Sequence, residues 1–244
     1  MISSDCKNNK LYKYVCLSEC MSEPIITKAT LKKEKRISTD YAYTHLYRLS
    51  KQNRIKKVLK GNYTVHTDPY IIATNLYTPS YLSFWGASYF KGYTEQIVNT
   101  LQIATTVVKR PIIFENYTFE FTKLSARTFF GFTKMAYGDS FIFVATDEKL
   151  IIDAILHEDK MGNFDEIEKC LMAANLDCEI MVSYLRRIQN KSLNKRVGFL
   201  LETYKKLDIS QEIVYKDTNT ILLSKFQKGL YTNSKWGVKH DIKD

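Results

Sequence analysis

Asp139, Asp147 and Lys149 have the types and spacing of a metal-dependent phosphate site. Two carboxylates could share one magnesium ion, and a lysine two positions on could stabilise charge on a reacting phosphate, as in some nucleases. The competing reading is a helix start, with Thr146 or Asp147 as N-cap and Glu148 and Lys149 in the first turn. Such short spacings arise easily by chance, so the helix start is preferred and no metal site is assigned. His45, His66, His157 and His240 are scattered, and none has a Ser, Cys or carboxylate neighbour at a recognisable catalytic spacing. The chain contains no G-x-x-x-x-G-K-[ST], G-x-G-x-x-G or G-x-S-x-G, so phosphate-loop, dinucleotide and hydrolase readings lack their starting motifs. Cys6, Cys16, Cys20, Cys170 and Cys178 form no C-x-x-C pair, and Cys16 with Cys20 offers too few ligands for a metal. They read as reduced, buried thiols. No catalytic residue and no cofactor are expected.

Binding chemistry is better represented. Between residues 39 and 60, threonines, tyrosines and cations alternate in a pattern suited to a nucleic acid. Thr39, Tyr41, Tyr43 and Thr44 offer hydrogen bonds that can reach base edges. Arg48, Lys51, Lys56, Lys57 and Lys60 offer charge for phosphates. The charge distribution agrees. Residues 1–66 hold 14 Lys and Arg against five Asp and Glu, a balance of +9, while the other residues balance at +1 out of a total of +10. A field confined to one segment is the footprint of a polyanion-binding module attached to a neutral body. A second basic group, Arg187, Lys191 and Lys195, has the spacing of one helical face and is a weaker site for an acidic partner or further DNA contact.

The elements that must position the first set follow from periodicity and caps. A helix over Leu11 to Met21 ends before Pro24. Thr27 caps a short helix to about Lys35, and Arg36-Ile37-Ser38 makes a turn. Thr39 or Asp40 then caps a helix to about Gln52, with Ala42, Leu46 and Leu49 as its core stripe. Arg54 to Leu59 and Asn62 to His66 are β-prone runs around Lys60-Gly61-Asn62. Three helices and a hairpin in that order predict a winged helix-turn-helix over residues 1–68. Helix-turn-wing order favours duplex DNA over the single-stranded or RNA targets that tyrosines could also stack on.

Pro69 and Asn75-Leu76-Tyr77-Thr78-Pro79 punctuate the chain where the charge balance changes, so residues 69–244 are read as a second domain. Ser83 is placed to cap a helix that Gly92 ends. Thr100 to Val108, Tyr117 to Leu124 and Phe141 to Ala145 read as strands, followed by a helix over Glu148 to His157. Asp165 to Lys206 is chiefly helical. The fold class is α+β. With 45% hydrophobic residues the chain can bury a core, no window is long and apolar enough for a membrane span, and no signal peptide is read, so a cytoplasmic protein is expected.

Several stretches resemble the AbiEi family of type IV antitoxins. They are the wing Arg54 to Tyr63; Pro79-Ser80-Tyr81-Leu82-Ser83 with Ala87 and Gly92-Tyr93-Thr94-Glu95-Gln96; Ile142 to Lys149 with Ile152-Asp153; and Lys195-Arg196-Val197-Gly198-Phe199-Leu200-Leu201-Glu202. Val98 stands where the family pattern has proline, and Ile209 to Asp244 has no counterpart. The resemblance implies a winged domain before a C-terminal antitoxin domain, and a repressor that binds inverted repeats in its own promoter. It also implies a functional partner, a nucleotidyltransferase-like toxin. A ligand-responsive regulator without a toxin is the main alternative, and a metal-dependent nuclease the lesser one.

Overall fold

The structure, a computed structural model, describes residues 23–242. The helix expected over Leu11 to Met21, with Cys6, Cys16 and Cys20, lies outside the described residues. The protein is mixed α+β, with helices interspersed among three sheets in the described residues. It divides into two compact units: the described residues up to Thr78 with Ala136–Phe141, and Pro79–Met135 with the described residues from Ile142 onward.

In the first unit, α1 (Lys28–Lys35) begins at a reciprocal cap. Thr30 N donates to the Thr27 hydroxyl at 3.2 Å, and Thr27 N donates to the Thr30 hydroxyl at 2.7 Å. Arg36, in the left-handed region at φ 53°, ends the helix. Helix α2 (Thr39–Lys51) is capped by Ser38, whose hydroxyl accepts from Tyr41 N, and not by Thr39 or Asp40 as expected. Asp40 falls in the first turn, where a negative charge complements the helix dipole. The expected stripe of Ala42, Leu46 and Leu49 is buried and packs with Ile26, Leu31 and Ile55 into a small core.

Strands β1 (Lys56–Leu59) and β2 (Asn62–Thr64) form an antiparallel hairpin. Gly61 closes it at φ 84°, a conformation that a side chain resists. Ile26 extends this hairpin by exchanging backbone hydrogen bonds of 2.7 and 2.9 Å with Tyr63. The prolines that read as punctuation instead bracket a helix, α3 (Pro69–Asn75). Asp68 caps it, and Pro69 sits at the first turn, where its missing N–H costs nothing.

The largest sheet has six strands: β3 (Ser80–Leu82), β4 (Thr100–Thr105), β5 (Ile112–Phe114), β6 (Tyr117–Lys123), β7 (Phe132–Tyr137) and β8 (Ser140–Ala145), in the order β5-β6-β4-β3-β8-β7. Its β4–β6 ladder is parallel and sets Leu101 beside Phe119 and Ile103 beside Phe121. Helix α4 (Phe84–Phe90) follows Ser83, and Gly92 comes just after it at φ 74°. Ser83 makes no capping bond, because its hydroxyl is diverted to Asp153 on α5 (Asp147–Leu156). Thr146 caps α5, whose middle is buried on all sides.

Helices α6 (Phe164–Ala173), α7 (Cys178–Ile188) and α8 (Lys191–Leu200) complete the helical part. The last segment forms a small sheet of β9 (Ile221–Leu222), β10 (Tyr231–Asn233) and β11 (Val238–His240) in the order β10-β11-β9.

Candidate nucleic-acid interface

Helix α2 separates its side chains cleanly. With Ala42, Leu46 and Leu49 in the core and His45 and Ser50 half-buried, the other positions are exposed: Tyr41 is 50% exposed, Tyr43 59% and Tyr47 56%. Large aromatic side chains this exposed on one helix are unusual for a solvent face. Thr39, Thr44, Arg48 and Lys51 are exposed beside them, as are Lys56, Lys57 and Lys60 on the hairpin. All nine residues singled out in this segment are therefore on the surface of one unit, on α2 and the adjoining hairpin.

Local contacts order this face. Tyr41 stacks on His45, their ring centroids 5.8 Å apart and their planes inclined at 17°. The Thr44 hydroxyl donates to the Asp40 carbonyl at 3.1 Å, which leaves its oxygen free to accept from elsewhere. The Lys51 ammonium lies 5.7 Å from the Tyr47 ring centre, and that of Lys28, at the start of α1, lies 4.7 Å from the Tyr43 ring centre. Lys28 was not singled out in the sequence. Its signal was the Thr27 cap, which puts the lysine at the first position of a helix packed on α2.

The residues weighed for metal chemistry do other work. Asp139 is exposed and 3.2 Å from His66 Nδ1. Asp147 accepts from Lys91 Nζ at 2.6 Å, Tyr93 Oη at 2.8 Å and Asn175 N at 3.0 Å. Burial pushes its carboxyl up, but the Lys91 and Tyr93 hydrogen bonds outweigh this and hold it below the usual range. Lys149 is fully buried and bonds to Asp153, which also accepts from Tyr81 and Ser83 at 3.0 and 2.8 Å. Burial lowers the Lys149 ammonium pKa, only partly countered by Asp153. A lysine sealed in the core cannot reach a phosphate, so the nuclease constellation is not assembled. Among the described residues no group of His, Cys, Asp and Glu is arranged to hold a metal ion.

The second basic group is not one helical face. Gln189, at φ 54°, ends α7, so Arg187 lies in the last turn of one helix while Lys191 and Lys195 lie on the next. Arg187 lies over the Phe130 ring at 4.0 Å, and Lys191 is exposed. Lys195 is buried and bonds to Asp217 and to the Asn219 carbonyl. Helical spacing alone does not reveal the left-handed Gln189, which puts the three cations on two helices.

The stretch around Lys195 is instead a clasp for the last segment. Arg196 Nε donates to the Leu222 carbonyl at 3.0 Å. Gly198 lies against the buried Trp236, so closely that a Cβ there would sit 2.2 Å from the indole.

The fold and the exposed face define a mixed α+β protein with a basic, tyrosine-rich surface on its first unit. No family model matches the chain, and no curated protein matches it. Among solved structures it is similar to the RV2827C protein from Mycobacterium tuberculosis, with a TM-score of 0.59, 12% identity, and coverage of 93% of this chain and 89% of that one. At that identity the likeness establishes the fold alone. Among the described residues no helix is long and apolar enough to cross a membrane.

Proposed function

We propose that the first unit is a winged helix-turn-helix that binds duplex DNA, and that the protein represses its own promoter and acts as the antitoxin of a type IV pair. The observation that carries the DNA reading is the partition of α2: its apolar stripe is in the core while its tyrosines, threonines and cations all face outward, next to a basic hairpin. On this reading α1, the turn at Arg36 to Ser38 and α2 form the helix-turn-helix, and the β1–β2 hairpin is its wing. Helix α2 enters the major groove with Thr39, Tyr41, Tyr43 and Thr44 toward base edges. Thr44, already donating to its own helix, accepts from an adenine or cytosine amine. Arg48, Lys51, Lys56, Lys57 and Lys60 meet phosphates. Two copies on an inverted repeat exclude polymerase.

The antitoxin assignment, with a nucleotidyltransferase-like toxin as functional partner, rests on the resemblance of the wing and of three stretches in the second unit to the AbiEi family. The buried Lys149–Asp153 pair and the Lys195-to-Gly198 clasp give two of those stretches structural roles within that unit.

The test is fluorescence-anisotropy titration of the full chain against its upstream promoter duplex and a scrambled duplex at two salt concentrations. Tight, salt-sensitive binding that prefers the promoter is expected. Binding to neither duplex sinks the DNA reading. Co-expression with the neighbouring gene tests the antitoxin reading separately, since rescue of growth is expected only if that gene encodes the toxin.

A further inference from the structure

The surroundings of Tyr43 differ from those of Thr39, Tyr41 and Thr44. Its ring is engaged by Lys28, whose ammonium stands 4.7 Å from the ring centre although both residues are exposed to solvent. A surface lysine ordinarily samples many rotamers, and ordering it on binding costs affinity. Here the backbone of Lys28 is fixed from both sides. The reciprocal Thr27–Thr30 cap sets the first turn of α1, and one residue earlier Ile26 is held by two hydrogen bonds to the hairpin at Tyr63. Leu31, one turn further along α1, is fully buried beside Leu46 in the core of the unit. The aromatic ring then supplies the remaining constraint, on the side chain itself.

We infer that Lys28 is a phosphate-contacting residue held in place by the Tyr43 ring, and that Tyr43 is a positioning residue rather than a reader of bases. The inference rests on the DNA reading above and refines it. An ammonium over a ring keeps N–H donors directed away from the ring, and a lysine acts on a phosphate as a point charge, with no sequence preference. The tyrosine contributes its face, so its hydroxyl is dispensable.

The experiment measures the salt dependence of the full chain's affinity for promoter and scrambled duplexes, comparing wild type with Lys28→Ala, Tyr43→Leu and Tyr43→Phe. Loss of one phosphate contact lowers the slope of log affinity against log salt by about 0.9. Between 50 and 200 mM salt, Lys28→Ala should therefore lose about 3.5-fold less affinity than wild type, and equally on both duplexes. Tyr43→Leu should move in the same direction by a smaller amount, and Tyr43→Phe should match wild type in slope and in preference. The ring-current shift of the Lys28 Cε protons by NMR gives a readout without DNA: it should vanish in Tyr43→Leu and persist in Tyr43→Phe.

An unchanged slope in Lys28→Ala, or an altered sequence preference in Tyr43→Phe, overturns the inference while leaving the DNA reading intact. A wild-type protein that binds neither duplex removes the DNA reading, and this inference with it.

Discussion

Helix α2 and the hairpin keep Arg48, Lys51, Lys57 and Lys60 at the surface, and among the described residues none of these four ends on a carboxylate. In the second unit the cations that the sequence brought forward are largely committed. Lys149 is sealed against Asp153, Lys195 is held by Asp217, and Arg187 is laid on Phe130. A charge removed from water must be paired or it destabilises the fold, and once paired it has nothing left for a ligand. A charge left in water contributes little to stability and keeps its full attraction for a polyanion. The two units thus use the same residue types for opposite ends, and substitutions should separate the two uses.

The largest effect should come from the buried pair. Asp153→Ala removes the acceptor for Lys149, Tyr81 and Ser83 together, leaving an ammonium in the core without a counter-charge. Breaking one partner of a buried pair costs about 3–5 kcal/mol, to be read from urea unfolding of the full chain. A cost under 1 kcal/mol would show that the network is dispensable and break the comparison. Next in size is Gly198→Ala. The added methyl would strike the Trp236 ring, and overpacking of this kind costs about 1–3 kcal/mol. In a Trp236→Ala background the same change should be almost silent. An equal penalty in both backgrounds would mean that the glycine is needed for something other than the indole.

Acid should act on the second unit in a defined direction. The Asp147 carboxyl is held below its ordinary value of 3.8, chiefly by Lys91 and Tyr93 working against burial. A group whose folded-state pKa is depressed contributes stability that is fully present above its unfolded value and is lost as pH falls through the folded one. Stability should therefore decline below about pH 4, and Asp147→Asn should reduce that decline while lowering stability at neutral pH. Identical acid limbs for variant and wild type would assign the acid sensitivity to other carboxylates.

How much of this was legible in advance depended on the range of the interactions involved. The cap at Thr27, the stripe Ala42, Leu46 and Leu49, the Gly61 turn and the strands around Thr100, Tyr117 and Phe141 are set by neighbours within a few residues, and periodicity found them. Pro69 read as a break because Asp68 was not recognised as the cap that makes a proline welcome at a first turn. Ser83 read as a cap because nothing in the local sequence says that Asp153, on a later helix, takes its hydroxyl. The C-terminal sheet has two- and three-residue strands held by Trp236 against Gly198, a contact no local pattern contains. The exposed face of α2 was legible for the converse reason: once the stripe is known, most of what lies off it is exposed, His45 and Ser50 being half-buried.

The smallest stability effect belongs to the first unit and is the sharpest test of the contrast. Arg48→Ala and Lys57→Ala remove exposed cations that are paired with no carboxylate among the described residues, so each should change unfolding free energy by less than about 0.5 kcal/mol. The same substitutions should weaken binding to promoter and scrambled duplex alike, and lower the salt slope by about 0.9 each. Because Arg48 lies on the helix and Lys57 on the hairpin, their slope changes should add if both meet phosphates at once. A double variant with only one contact's worth of slope change would mean that helix and hairpin do not bind the same duplex together. A stability loss matching the binding loss would mean that these cations serve the fold after all, as those of the second unit do.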